Sequence, residues 1–402
     1  MAFDAALTDT LLAEAADLLD DSVKLRRQLH AHPELGLELP KTQETVLESL
    51  DGLGLQLRKG NSTTSVVAVL EGAQPGPTML LRADMDALPM PEDTGLAFKS
   101  TVDGAMHACG HDLHTAMLAG AARLLAARQS KIAGRVLFMF QPGEEGFAGA
   151  KHMLDEGLLN GVGDVTGAFA IHVTSFTQTG KIALKGGSIM ASADAFRMTI
   201  TGRGGHASAP HLALDPIPIA CEIVQALQIM VTRRVDVFDP GVVTVGQITA
   251  GTTGNVIPET AHILGTIRAV SERTRQKIHD QLRRVAEGIA QAHEASATVV
   301  IEDNGYPVTV NDAAYADFTV GVAGDLLGVD QLQIMPNPVM GAEDFSYVLQ
   351  QVPGAMAFLG ATPLGVDPRT AAPNHSNRVM FEEAAMTTGS ALYAAMALRH
   401  LV

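Results

Sequence analysis

The sequence has no tryptophan, and aromatic residues make up only 4% of its 402 positions. That leaves little for the stacking platforms that hold single-stranded nucleic acids. Basic residues are also few: 28 Lys and Arg stand against 44 Asp and Glu, for a formal net charge of −16. Such a field repels a phosphate backbone, and no basic run offsets it, which argues against a nucleic-acid partner. Cysteine occurs twice, as Cys109 and Cys221, too rarely for a disulfide framework, so a reducing, cytoplasmic setting is expected. No run approaches about 18 uncharged apolar residues, so no segment is expected to span a bilayer. The start carries Asp4, Asp9, Glu14, Asp17, Asp20 and Asp21 before any basic residue, unlike a secretory leader.

What is present is apolar: 47% of the chain, enough for a sizeable core and, at this length, for two or three domain-sized units. Leu11, Leu12, Ala15, Leu18, Leu19 and Val23 share one helical face, in a helix expected to run to His32-Pro33. Apolar or β-branched runs at 65–70, 78–82, 135–140 and 167–173 read as strands, and 113–127 between them as a helix. Strands alternating with helices predict an α/β layer. From about residue 190 the pattern becomes β-α-β-β-α-β: strands at 195–201, 242–248, 262–270 and 298–302, helices at 216–233 and 271–294. That is the order of a ferredoxin-like sandwich. The expected division is a catalytic domain in two parts, 1–190 and 305–402, with an inserted α+β domain at 191–304. Cys221, on the first of these helices, is expected to be a buried packing residue.

Three clusters concentrate chemistry. His107-Ala108-Cys109-Gly110-His111-Asp112-Leu113-His114 precedes a helix. Its thiol and imidazoles are borderline-soft donors suited to zinc, manganese or cobalt, and no second cysteine pair exists to make a zinc finger. Gln141-Pro142-Gly143-Glu144-Glu145-Gly146 follows a strand directly. Loops at the carboxyl ends of strands carry the sites of open α/β sheets. One of two adjacent carboxylates can bind metal while the other moves a proton, although a solvated acidic turn would also explain the pair standing alone. Arg82-Ala83-Asp84-Met85-Asp86-Ala87-Leu88-Pro89 ends another strand, where an acid could ligate or orient a histidine. His172 ends a further strand and His375 sits in Asn374-His375-Ser376. Either alone reads more simply as a core or loop histidine.

Together with Gly204-Gly205-His206 and Gly341-Ala342-Glu343-Asp344-Phe345, these motifs resemble the di-metal amidohydrolase and peptidase family of the aminoacylase and carboxypeptidase-G type. Within it the branch of hippurate hydrolases, N-acyl-amino-acid amidohydrolases and auxin-conjugate hydrolases is most similar. The resemblance runs from Leu29-His30-Ala31-His32-Pro33-Glu34 to the C-terminal histidine, with the motifs in family order. It implies a mixed-sheet di-metal catalytic domain with a lid or dimerisation domain inserted. It also implies two divalent cations held by Cys109, His111, Glu145, His172 and His375, with zinc or manganese expected and cobalt or nickel as further candidates. Glu144 would be the general base and Asp86 would orient the site from behind. His206 would polarise the scissile carbonyl, and Asn255 and Arg268 would contact the substrate. Other branches place a histidine where this chain has Asp84, which leaves the metal's identity open. A surface salt bridge is the alternative reading of Arg268.

The implied activity is hydrolysis of N-acyl amino acids, such as acetyl or benzoyl conjugates, to a carboxylic acid and a free amino acid. The alternatives are a dipeptidase or carboxypeptidase using the same site, and a non-catalytic metal-binding protein. A homodimer formed through the inserted domain is expected, with no membrane or nucleic-acid partner.

Overall fold

The computed structural model describes residues 10–401, so Asp4 and Asp9 of the acidic start lie outside the described residues. In chain order the main elements begin with α1 (Leu11–Asp17), α2 (Leu19–Ala31), α3 (Pro40–Ser49), β1 (Gln56–Lys59), β2 (Val66–Glu71) and β3 (Gln74–Asp84). They continue with α4 (His111–Ala126), β4 (Ala133–Gln141), α5 (Gly149–Asp155), β5 (Val165–Gln178) and β6 (Ile182–Leu184). Next come β7 (Asp194–Thr201), β8 (Gly205–His206), α6 (Pro216–Arg234), β9 (Gly241–Ala250), β10 (Val256–Ile257), β11 (Thr260–Ala269), α7 (Glu272–Ala292) and β12 (Ser296–Ile301). The chain ends through α8 (Ala313–Leu327), β13 (Leu332–Ile334), β14 (Gly354–Thr362) and α9 (Ala385–His400). Two compact units result: Met1–Ile189 with Val310–Asn337 and Asp344–Val402, and Met190–Thr309 with Pro338–Glu343.

The first unit is a mixed α/β layer, as the alternation of strands and helices predicts. Its sheet has the order β1-β2-β4-β3-β5-β14-β6-β13. β4, β3, β5 and β14 run parallel; β2 pairs antiparallel to both β1 and β4, and β6 is antiparallel to β14 but parallel to β13. The runs Val66–Leu70 and Val136–Phe140 are buried at every position, the mark of strands covered on both faces. α4 is apolar nearly all round and buries 14 of its residues, among them Leu113, Met117, Leu118, Leu124 and Leu125. α9 packs against it closely because Gly389 has no side chain: a Cβ there would lie 2.0 Å from the Met117 sulfur.

The opening helix differs from expectation. It is two helices joined at Leu18, and α2 buries Ser22, Arg26, Leu29 and His30 rather than Leu19 and Val23. Arg26 explains the shift. Its guanidinium enters the interior to meet Asp112 at 2.8 Å and Glu383 at 3.0 Å, rotating the helix about its axis. A buried cation with two carboxylate partners outweighs the apolar stripe.

The second unit has a four-stranded antiparallel sheet of order β9-β11-β7-β12. β7 alternates buried and exposed residues, so one face is free for helices to cover. α6 and α7 cover it, closing a core of Phe196, Met198, Ile200, Ile223, Leu227, Ile263, Ile267, Ile278 and Leu282. Ser271 caps α7 by accepting the Thr274 N–H at 3.1 Å. Cys221 is exposed, contrary to expectation. The buried stripe of α6 is Pro216, Ile219, Ala220, Ile223, Leu227 and Met230, and Cys221 falls one residue beyond it, on the solvent side. Among the described residues, no helix is long and apolar enough to cross a membrane.

Candidate metal centre

Parallel pairing of β3, β4 and β5 aligns their carboxyl ends, and the polar motifs of the first unit lie there. Asp84 is the last residue of β3, Glu144 and Glu145 follow β4, and His172 lies within β5. Cys109 and His111 flank Gly110, the residue before α4. Gly110 has φ +93°, and a Cβ on it would fall 2.4 Å from Val173. Only glycine lets this loop turn so tightly against β5, and that turn carries Cys109 and His111 to His172.

Cys109 is central. Its sulfur lies 3.3 Å from His172 Nε2 and 3.2 Å from His375 Nε2. His375 Nε2 is also 3.3 Å from Glu145 Oε1, and His111 Nε2 is 3.9 Å from that oxygen. Donor atoms therefore fall into overlapping groups, Cys109–His111–His172 and Cys109–Glu145–His375, each within 4.8 Å, and Glu144 joins His111 and Glu145 in a third. Both ring nitrogens of His111 and Glu145 Oε1 are buried without hydrogen-bond partners. The close approaches at Glu145 Oε1 lack hydrogen-bond geometry. Orphaned buried nitrogens and a carboxylate oxygen beside a thiol suit a cation, which would satisfy them together.

The protonation pattern agrees. His172 donates from Nδ1 to the Val173 carbonyl at 2.7 Å, turning the Nε2 lone pair toward Cys109. Burial, then His114, keeps His172 neutral, well below the usual imidazole range. His375 is pushed up to about 10 by its hydrogen bond to Cys109 and by the adjacent Glu145 carboxylate, and burial with the neighbouring Glu145 raises the Cys109 thiol. Without metal, protons occupy the places a cation would take. His375 itself has φ +68°, an uncommon backbone for a non-glycine residue and one often found at functional positions.

Around these donors lies a supporting layer. Asp86 accepts the backbone N–H of Glu144 on one oxygen and of Glu145 on the other, both at 3.0 Å. One buried carboxylate thus fixes the turn holding both acids, and it lies 3.3 Å from His111 Nδ1. Asp84 is engaged by Arg82 at 2.7 Å and His114 at 2.5 Å. Burial opposes its charge, yet Arg82 and the two imidazoles hold the carboxyl well below the usual range. His114 has no lone pair to spare: its other nitrogen accepts the Val173 N–H at 2.8 Å. His107 is buried with neither ring nitrogen hydrogen-bonded among the described residues.

Sequence reasoning gave no role to Asn374 or Asp112. Asn374 donates to the carbonyls of Cys109 (3.2 Å) and Val173 (3.1 Å) and accepts the Ser175 N–H at 3.2 Å. It ties the cysteine loop, β5 and the His375 turn together. Asp112 receives Arg26 at 2.8 Å and His30 at 2.9 Å, anchoring the first turn of α4 beside His111. The available signal was adjacency, since each stands next to a candidate ligand.

The remaining candidates lie in the second unit. His206 pairs with Val256 in the β8–β10 ribbon, and the Ala207 N–H meets the Asn255 carbonyl at 3.1 Å, so His206 and Asn255 are neighbours. Both are exposed. Arg268 is half-buried on β11, and its side chain makes no hydrogen bond or ion pair among the described residues. Its neighbour Asp194 is taken by Arg275 at 2.7 Å and His279 at 3.1 Å. The surface salt bridge is therefore not formed there.

A family model, Peptidase family M20/M25/M40, matches residues 80–399, which include every one of these positions. The chain belongs to peptidase family M20. Membership makes it a metal-dependent hydrolase of amide bonds. Among M20 relatives, a thermostable carboxypeptidase of Saccharolobus solfataricus is 38% identical, over 98% of each chain. An IAA-amino acid hydrolase of Arabidopsis thaliana is also 38% identical, over 97% of this chain and 88% of its own. A dinuclear metal binding M20 peptidase of Bacillus subtilis superposes with a TM-score of 0.82 at 33% identity, covering 96% of this chain and 99% of its own.

Proposed function

We propose that the chain hydrolyses N-acyl amino acids, with acetyl, benzoyl or larger acyl groups, to a carboxylic acid and a free amino acid. The observation that carries this reading is the convergence of His111, His172, Glu145 and His375 on Cys109 with a further carboxylate, Glu144, alongside. Cys109, His111, Glu145, His172 and His375 would hold two divalent cations, zinc or manganese, with cobalt or nickel as further candidates. When bound, such a pair would acidify a water and polarise the amide carbonyl.

The chain's own residues do the rest. Glu144 takes the proton of the attacking water and returns it to the amide nitrogen as the C–N bond breaks. Asp86 fixes the turn that carries Glu144 and Glu145 by holding both their backbone N–H groups. His206 donates to the carbonyl oxygen as negative charge develops there. Asn255 contacts the substrate, and Arg268 receives the α-carboxylate, an anion suited to a planar fork with no protein partner.

A panel of N-acetyl and N-benzoyl amino acids and dipeptides, with manganese or zinc added, tests this. Turnover of the N-acyl compounds that stops on chelation and returns with metal is expected. Turnover of dipeptides alone would favour the carboxypeptidase reading, which the Saccharolobus relative's name supports. No turnover of any member by metal-loaded protein would leave a metal-binding protein without catalysis.

Arg268→Lys is expected chiefly to raise KM for substrates with a free carboxylate and to spare amidated analogues. A lysine keeps the charge and loses the two-pronged geometry. Equal effects on both substrate types would remove the carboxylate assignment.

We further propose a cytoplasmic homodimer in which the inserted stretch, 191–304, serves as lid and dimerisation surface. β9 and β12 are the edges of its sheet and leave strand edges able to pair with a second copy. If His206 acts on the partner's substrate, mixing Glu144→Gln with His206→Ala under subunit exchange should restore part of the activity, because one site of each mixed dimer has both residues intact. No recovery despite demonstrated exchange assigns His206 to its own subunit.

A further inference from the structure

His206 ends the two-residue strand β8, and its carbonyl accepts the Ala209 N–H at 2.9 Å, closing a turn over residues 206–209. The turn brings Ser208 over the imidazole. Nδ1 of His206 is met by the backbone N–H of Ser208 at 3.1 Å and by its hydroxyl oxygen at 2.8 Å. A backbone N–H can only donate. Nδ1 must therefore be the acceptor, and in the neutral ring the single proton sits on Nε2. Nε2 has no hydrogen-bond partner among the described residues, and the side chain is exposed. The ring thus presents an N–H donor outward.

We propose that Ser208 is a positioning residue that selects the Nε2–H tautomer of His206, so that the ring offers a donor rather than a lone pair to the scissile carbonyl oxygen. This rests on the reading of His206 given above. The distinction matters because the opposite tautomer would set a lone pair against a developing oxyanion and repel it. Loss of one oxyanion donor elsewhere costs about 10²–10³ in kcat. Ser208 supplies two donors to the same nitrogen, one from the main chain, which survives any side-chain change except proline. The lock is therefore redundant to truncation but open to reversal. An aspartate at 208 would accept from Nδ1–H and move the proton to that nitrogen.

The test is nitrogen-15 spectroscopy of the histidine rings in the full chain, with and without zinc, at a pH well above the ordinary imidazole value of about 6.5. His206 is assigned by the loss of its signals in His206→Gln. In the wild type Nδ1 should show the shift of an unprotonated nitrogen and Nε2 that of a protonated one. Ser208→Thr, which keeps the hydroxyl, should match the wild type in spectrum and turnover. Ser208→Ala, which keeps the main-chain donor, should leave the assignment in place and lower kcat by no more than about 2–10-fold, the factor of one hydrogen bond. Ser208→Asp should reverse the assignment and lower kcat by about 10²-fold on an N-acetyl amino acid. Averaged signals in the wild type, or an unchanged spectrum in Ser208→Asp, overturn the tautomer assignment itself. Reversed signals with unchanged kcat show instead that His206 does not act as a donor to the carbonyl, and overturn the proposal through the reading on which it rests.

Discussion

Glu144→Gln is expected to bind metal as the wild type does and to lose about 10²–10⁴-fold in kcat, the usual contribution of a general base. The substitution is nearly isosteric and leaves the Glu144 N–H, through which Asp86 holds the turn, untouched. What disappears is the ability to take and return a proton. Glu145→Gln should behave in the opposite sense. Its Oε1 lies 3.3 Å from His375 Nε2, among the donors, so removing its charge should weaken metal binding before it touches chemistry. Metal content by atomic absorption and kcat, measured on the same preparations, separate the two. A Glu144→Gln variant within about tenfold of wild-type kcat would contradict the proposed base.

Cys109→Ser is expected to lower metal affinity by more than the 10–100-fold that loss of an outer partner costs. Its sulfur belongs to two of the donor groups, so both cation positions lose a ligand at once. Metal-free protein holds a proton on His375, raised to about 10 by Cys109 and Glu145, and another on the Cys109 thiol, raised by burial and then by Glu145. A divalent cation must displace both. Binding should therefore release protons and weaken as pH falls, since lower pH favours the protonated ligands. Calorimetry in two buffers of different ionisation enthalpy measures that release, and Cys109→Ser should reduce it. Alkylation gives an independent check. Cys221 is exposed and should label at once in either form, so the experiment needs Cys221→Ser. In that background Cys109 should react only after the metal is removed, and slowly even then because it is buried. Equal labelling with and without metal would rule out coordination by the thiolate.

Much of this protein was legible before any fold was known. Its strands and helices follow from period: the fully apolar run Val136–Phe140 signals a strand covered on both faces, and the alternation along Ala195–Thr201 one covered on a single face. The polar motifs stand at strand ends because parallel strands need long crossovers, and loops at their carboxyl ends are free to carry function. The residue types named the chemistry, since thiol, imidazole and paired carboxylates suit few ions other than borderline ones.

Only the tertiary structure decided which of those residues face one another. His107, Cys109, His111 and His114 share one short segment. Yet His114 is spent between Asp84 and the Val173 N–H, His107 packs away from the other donors, and Cys109 and His111 meet residues more than 30 positions distant. Local sequence cannot rank these four, because a ring's role depends on what its two nitrogens touch. Long-range polar contacts also turned α2 so that Arg26 and His30 face inward, against its apolar stripe. The same holds for Asn374, whose three partners come from two other segments, and for Cys221, one residue outside a buried stripe. Composition and period describe a residue's own backbone. Burial and hydrogen bonding belong to pairs, and the pairing is set by how the sheet and its helices close.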